Sequence, residues 1–155
     1  MEYHEQFIID FAKRTRANLE YIERAAVRGD NVFEVTQLMN SLLGLLVFPR
    51  ERYLHEIPPL TMQELANRGW PDIKTTRGAL REDNLRGLTQ MLRNSIAHCN
   101  VEFVCESGSQ ITGLKVWNTN HGRKTWEAEM QISQLRLIVL KFIELLESGE
   151  RTLEL

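Results

Sequence analysis

The sequence predicts a mainly α-helical fold, a bundle of four main helices with a small antiparallel β-meander inserted before the last one. Three observations predict it. Long stretches near both ends carry apolar residues at three- and four-residue steps, and a period of two replaces that spacing only between about residues 101 and 130. The third is size: 155 residues, 43% hydrophobic and 26% charged, suit one domain with a real core. Residues 1–155 are therefore expected to form a single domain, with the β insertion at about 101–130.

From about Glu2 to Arg28, Phe7, Ile8, Phe11, Leu19, Ile22, Ala25 and Ala26 recur at helical spacing without Pro or Gly, and Gly29 ends the run. Asp30 or Asn31 can cap a second helix, whose stripe is Val35, Leu38, Met39, Leu42, Leu45 and Leu46 and whose stop is Pro49. Between Arg50 and Asp83 the breakers Pro58, Pro59, Gly69, Pro71 and Gly78 predict a long connection with one short helix near Thr61–Arg68. Its cations, Arg68, Lys74, Arg77 and Arg81, make it either a solvated basic loop or a substrate-guiding one.

A third long helix is predicted from about Asn84 to His98. Leu85, Leu88, Met91, Leu92, Ile96 and Cys99 share one side at 100° per residue, while Arg86, Gly87, Gln90, Arg93, Asn94, Ala97 and His98 share the other. Alternation then takes over in Val101, Phe103 and Cys105, turns at Gly108, continues in Ile111, Leu114 and Val116, turns again at Asn118–Gly122 and runs through Thr125–Met130. Ile132, Leu135, Ile138, Phe142 and Leu146 return to helical spacing, and Gly149 ends the last helix.

Charge and apolar content exclude several classes. The formal charge of −2 and a pI near 6.1 supply no global field for nucleic acid, so any such contact must be a local site. Leu45–Phe48, the longest uninterrupted apolar run, is far short of the roughly 20 residues of a membrane span. The acidic start lacks the basic region of a signal peptide, which points to the cytoplasm and away from a membrane. Cys99 and Cys105 form no C-x-x-C pair and are read as buried thiols.

The informative segment is Arg93-Asn94-Ser95-Ile96-Ala97-His98. Arg93 and His98 lie five residues apart, about 140° around a helix axis, so they flank the polar face. Asn94 sits four residues before His98, within side-chain reach of the imidazole. Ala97 and Gly87 keep that face shallow enough for a second helix or a phosphate chain. A cation in the last turn is also what the helix dipole favours, so the pair alone does not make a site.

With its setting, the pair resembles a known family. The R-x-x-x-x-H spacing beginning with Arg93-Asn94, on a helix followed by an excursion and a closing helix, resembles the signature of the HEPN superfamily. The run from Phe33 to Glu51, taken with Leu92–His98, is similar to a branch of small, single-domain, often plasmid-borne HEPN proteins. The similarity covers roughly residues 5 to 147. It implies a HEPN-like helical bundle and a metal-independent endoribonuclease that works as a homodimer, a toxin or host-defence effector without cofactor or metal. Arg93 would contact the scissile phosphate, His98 would act as general acid or base, and Asn94 would orient His98 or the phosphate. Arg86, Gln90, Arg81 and Arg77 are candidate substrate-binding residues. RNA is the implied substrate, and an antitoxin protein is a candidate further partner. Some HEPN toxins carry, two residues after the His, a Tyr that is silenced by AMP transfer; here that position is Asn100.

Other candidates have ordinary readings. Glu102 and Glu106 fit the wet face of a strand, and His4, His55 and His121 show no zinc spacing. Trp70, Trp117 and Trp126 are expected in the core or an interface before a base-stacking platform. Two rival functions remain: an inactive HEPN module that binds RNA or a protein partner, and a structural helical domain in which the motif is a coincidence.

Overall fold

The computed structural model of the chain describes residues 2–47, 57–106 and 110–149. The stop at Pro49, the turn at Gly108, Phe48 at the end of the apolar run, His55 and the side chain of His4 lie outside what is described.

The opening periodicity folds as helix α1, Glu2–Val27. Its end is a Schellman turn: Gly29 takes φ 84°, its N–H donates to Ala26 O and that of Asp30 to Ala25 O. Helix α2, Glu34–Val47, buries Leu38, Leu42, Leu45 and Leu46. Helix α3, Met62–Asn67, starts at a capping box, in which Thr61 Oγ1 accepts from Glu64 N and the Glu64 carboxylate accepts from Thr61 N. Helix α4, Leu85–Ala97, is capped by Asn84, and helix α5, Ile132–Ser148, ends at Gly149 in the left-handed region.

The architecture corrects the expected bundle. Among the described residues five helices accompany a four-stranded antiparallel sheet, so the fold is mixed α/β, not four helices with a small meander. The strands are β1 (Lys74–Gly78), β2 (Val101–Cys105), β3 (Ile111–Asn120) and β4 (Arg123–Gln131), in the order β1-β4-β3-β2. β2, β3 and β4 come from the alternating region. β1 comes from the middle of the expected connection: Lys74 pairs with Glu129, Thr75 with Ala128, and, after a bulge, Arg77 with Glu127. All five of its residues are exposed, so it has no apolar alternation to read. What makes it a strand is the free edge of β4, some 50 residues later in the chain.

Strand parity divides the sheet into two faces. Leu114, Val116 and Asn118 of β3 and Met130, Ala128 and Trp126 of β4 are direct cross-strand partners and all are buried. They meet Leu85, Leu88 and Leu92 of α4 and Leu135, Ile138, Val139 and Phe142 of α5 in one core. Trp70 joins it edge-on to Phe142, with ring centroids 5.1 Å apart. The other face carries Lys115, Trp117, Glu127 and Glu129, the alternate positions. α1 runs antiparallel to α5 and is tied to it by Arg16–Glu147 at 2.8 Å and by Arg136–Glu23.

Candidate active site

The motif lies on α4, and the start of that helix is set by two residues. Asn84 Oδ1 accepts from Gly87 N at 3.0 Å, and Gly87 lies against the preceding turn so closely that a Cβ there would stand 1.9 Å from Glu82 O. Gly87 is therefore buried beneath residue 82 and is not part of a shallow surface face, as its place on the helical wheel had implied.

The buried side of α4 also differs from the apolar stripe read from spacing. Met91 and Ile96 are half-buried and Cys99 is exposed beyond the helix, whereas Thr89 and Ser95 are buried. Both hydroxyls satisfy themselves on the helix: Thr89 donates to Leu85 O at 2.7 Å and Ser95 to Met91 O at 2.9 Å. Asn118 reaches down from β3 and donates to Ser95 Oγ at 3.1 Å and Met91 O at 2.9 Å. A polar residue at a core-facing strand position was the one available signal for this clamp.

Arg93 and Asn94 are half-buried and engage each other. Asn94 Oδ1 accepts from Arg93 Nη2 at 2.5 Å and Nε at 3.2 Å, so this amide orients the guanidinium and not the imidazole. His98 is the C-cap, with φ −97° and ψ 11°. Its side chain is exposed and makes no hydrogen bond or ion pair among the described residues.

The turn after His98 is held firmly. Cys99 has φ 54°, its N–H donates to Ile96 O, and Asn100 N donates to Ser95 O at 2.8 Å, which is the Schellman pattern with a non-glycine residue in the left-handed position. That conformation costs a β-carbon-bearing residue about 1–2 kcal/mol. Asn100 O in turn accepts from Trp117 N at 3.1 Å. The imidazole thus projects from a backbone fixed by both helix and sheet.

The profile of a protein family described as HEPN pEK499 p136 matches residues 1–152 of this sequence. The chain belongs to this HEPN family. No curated protein and no solved structure matches it.

In this HEPN chain the remaining candidates are dispersed. Arg86 Nε donates to Ile57 O at 2.7 Å, which ties α4 to the segment before α3. Gln90 is half-buried on α4, Arg81 is exposed in the turn before that helix, and Arg77 is exposed on β1. The basic connection is split in the same way: Arg68 caps α3 and Lys74 opens β1. Both thiols, expected to be buried, are exposed: Cys99 lies in the turn, and Cys105 ends an edge strand. Trp70 and Trp126 are core residues, and Trp117 is not. Among the described residues no three His, Cys, Asp or Glu side chains gather as a metal site would, and no helix is long and apolar enough to cross a membrane.

Proposed function

We propose that this HEPN protein is a metal-independent endoribonuclease whose site pairs Arg93 and His98 across a homodimer. The observation that carries the reading is the exposed imidazole of His98, without a side-chain partner among the described residues, on a helix end held by backbone hydrogen bonds and five residues beyond a guanidinium that Asn94 engages. A general base needs an accessible ring nitrogen at a fixed position, and a phosphate-binding arginine gains from a held orientation.

In this reaction His98 takes the proton of a ribose 2′-OH, and the oxygen attacks the adjacent phosphorus. Arg93 stabilises the charge that accumulates on the phosphoryl oxygens. The bond from phosphorus to the 5′-oxygen breaks, and that oxygen receives a proton from the imidazolium of His98 of a second copy. The products are a 2′,3′-cyclic phosphate and a 5′-hydroxyl. Two copies are invoked because Arg93 and His98 flank the helix face, about 140° apart around its axis, so a twofold arrangement of motif helices can present both pairs to one strand. A toxin or host-defence role, with an antitoxin protein as partner, fits the family and belongs to the same proposal.

The test is incubation of the protein, and of Arg93→Ala and His98→Ala, with labelled RNA in excess EDTA, followed by analysis of the new 3′ ends. Cyclic phosphate ends that disappear in both variants are expected. The rival reading, an inactive module that binds RNA or a protein, is favoured by the near-neutral charge, −2 over the chain. It is supported if no form cleaves while His98→Ala shifts the sedimentation coefficient.

A further inference from the structure

Trp117 is the tryptophan that the core leaves out. Trp126, on the opposite parity one strand away, is fully buried, and Trp70 is packed on Phe142. Trp117 is half-buried on the face of β3 that points away from the helices. Part of its indole is therefore accessible on the solvated face of the sheet, where a flat aromatic partner could stack.

Its surroundings identify the partner's chemistry. Lys124 Nζ lies 4.4 Å from the ring centroid, and the same ammonium pairs with Glu127 at 2.5 Å. Glu127 is the cross-strand neighbour of Trp117 and also accepts from Thr76 Oγ1 at 2.9 Å, so its charge is already engaged from two sides. Beyond Glu127 stands Arg77 on β1, and two residues before Trp117 stands Lys115. The remaining acids on this face, Glu129 and Glu102, lie in the row Lys74, Glu129, Lys115, Glu102, each between or beside lysines. Lys124 and Glu127 thus pair with each other beside the indole, and the charges named on this face are four cations, Lys74, Arg77, Lys115 and Lys124, against three carboxylates, Glu102, Glu127 and Glu129.

Position links this surface to the motif. Trp117 N donates to Asn100 O, two residues along the chain from His98, and two residues span at most roughly 7 Å. β2 begins at Val101, paired with Val116, so beyond Trp117 the edge of β3 has no β2 partner among the described residues, and a strand lying on the indole can pass round that edge toward the end of α4.

We infer that Trp117 is a base-stacking platform for single-stranded RNA, with Lys124, Lys115 and Arg77 receiving the phosphates of the strand that leads to His98. The inference rests on the ribonuclease reading for the direction of the strand. A stacked base takes the place of the Lys124 ammonium on the indole, and that ammonium turns to the phosphate arriving with the base. Stacking is indifferent to base identity, so this subsite selects unpaired RNA over duplex without selecting a sequence.

The test uses a short single-stranded RNA of mixed sequence carrying 2′-O-methyl groups, which cannot be cut by 2′-OH attack, titrated into the protein while tryptophan emission is followed. Quenching is expected, because Trp117 is the accessible indole. Trp117→Phe should keep most of the affinity and lose most of the quenching. Trp117→Ala should bind about tenfold more weakly to the single strand, and no more weakly to the matching duplex. Equal binding by parent and Trp117→Ala, undiminished quenching in Trp117→Phe, or no binding by the parent overturns the inference. Its failure is separable from that of the nuclease reading. Cleavage with unchanged single-strand binding by Trp117→Ala removes only the platform, whereas Trp117-dependent quenching without cleavage removes only the nuclease.

Discussion

Asn118 on β3 donates from Nδ2 to Ser95 Oγ on α4 at 3.1 Å, and both residues are buried. This contact fastens the helix carrying Arg93 and His98 to the sheet, one turn before the motif ends. Asn118→Ala leaves the Met91 carbonyl and Ser95 hydroxyl with one partner fewer in a buried place. It should lower stability by about 1–3 kcal/mol in urea unfolding. An unchanged midpoint would show that the clamp carries no net energy.

On the proposed mechanism, the Arg93–Asn94 pair makes Asn94 a positioning residue. Removing the acceptor in Asn94→Ala releases the guanidinium without removing its charge. Cleavage should fall by about tenfold in kcat with little change in KM, against about 10²–10³ for Arg93→Ala. Equal losses in the two variants would mean that Asn94 meets the RNA directly.

Gly87 offers a test in which two physical effects have opposite signs. Alanine is the better helix former by about 1 kcal/mol, so propensity alone predicts that Gly87→Ala stabilises α4. A Cβ there, however, would lie 1.9 Å from the Glu82 carbonyl oxygen, and the turn over the helix start would have to move. Overpacking of this kind costs about 1–3 kcal/mol, so a lower melting temperature is expected. A higher one would show that residues 81–83 shift freely.

The capping box of α3 makes a pH prediction. Hydrogen bonds from the Thr61 backbone and hydroxyl hold the Glu64 carboxyl below the usual glutamate range. A group whose folded pKa is depressed stabilises the fold above its unfolded pKa, and that contribution is lost as pH falls through the folded value. The stability difference between the protein and Glu64→Gln should therefore be constant near neutrality and shrink on acidification. A difference that grew toward acid pH would contradict the assignment.

Much of the candidate site was legible because it is local. Arg93, Asn94 and His98 occupy one helix, and their angular relation follows from 3.6 residues per turn whatever surrounds them. What the imidazole and guanidinium touch was not legible. Asn94 has two neighbours within reach, and packing, not spacing, gave its oxygen to Arg93.

The order of amino acids determined the helices α1, α2, α4 and α5 and the glycines that end α1 and α5, since periodicity and caps act within a few residues. It also carries family membership, in a match that runs over residues 1–152. Tertiary structure decided three things. It made Lys74–Gly78 a strand, because an exposed KTTRG run acquires its hydrogen bonds only from β4. It buried Ser95 and Asn118, two polar residues that satisfy each other across elements. And it sent Trp126 inward and Trp117 outward, because the register of one strand on another sets which parity meets the helices, and that register is a property of residues far apart in the chain.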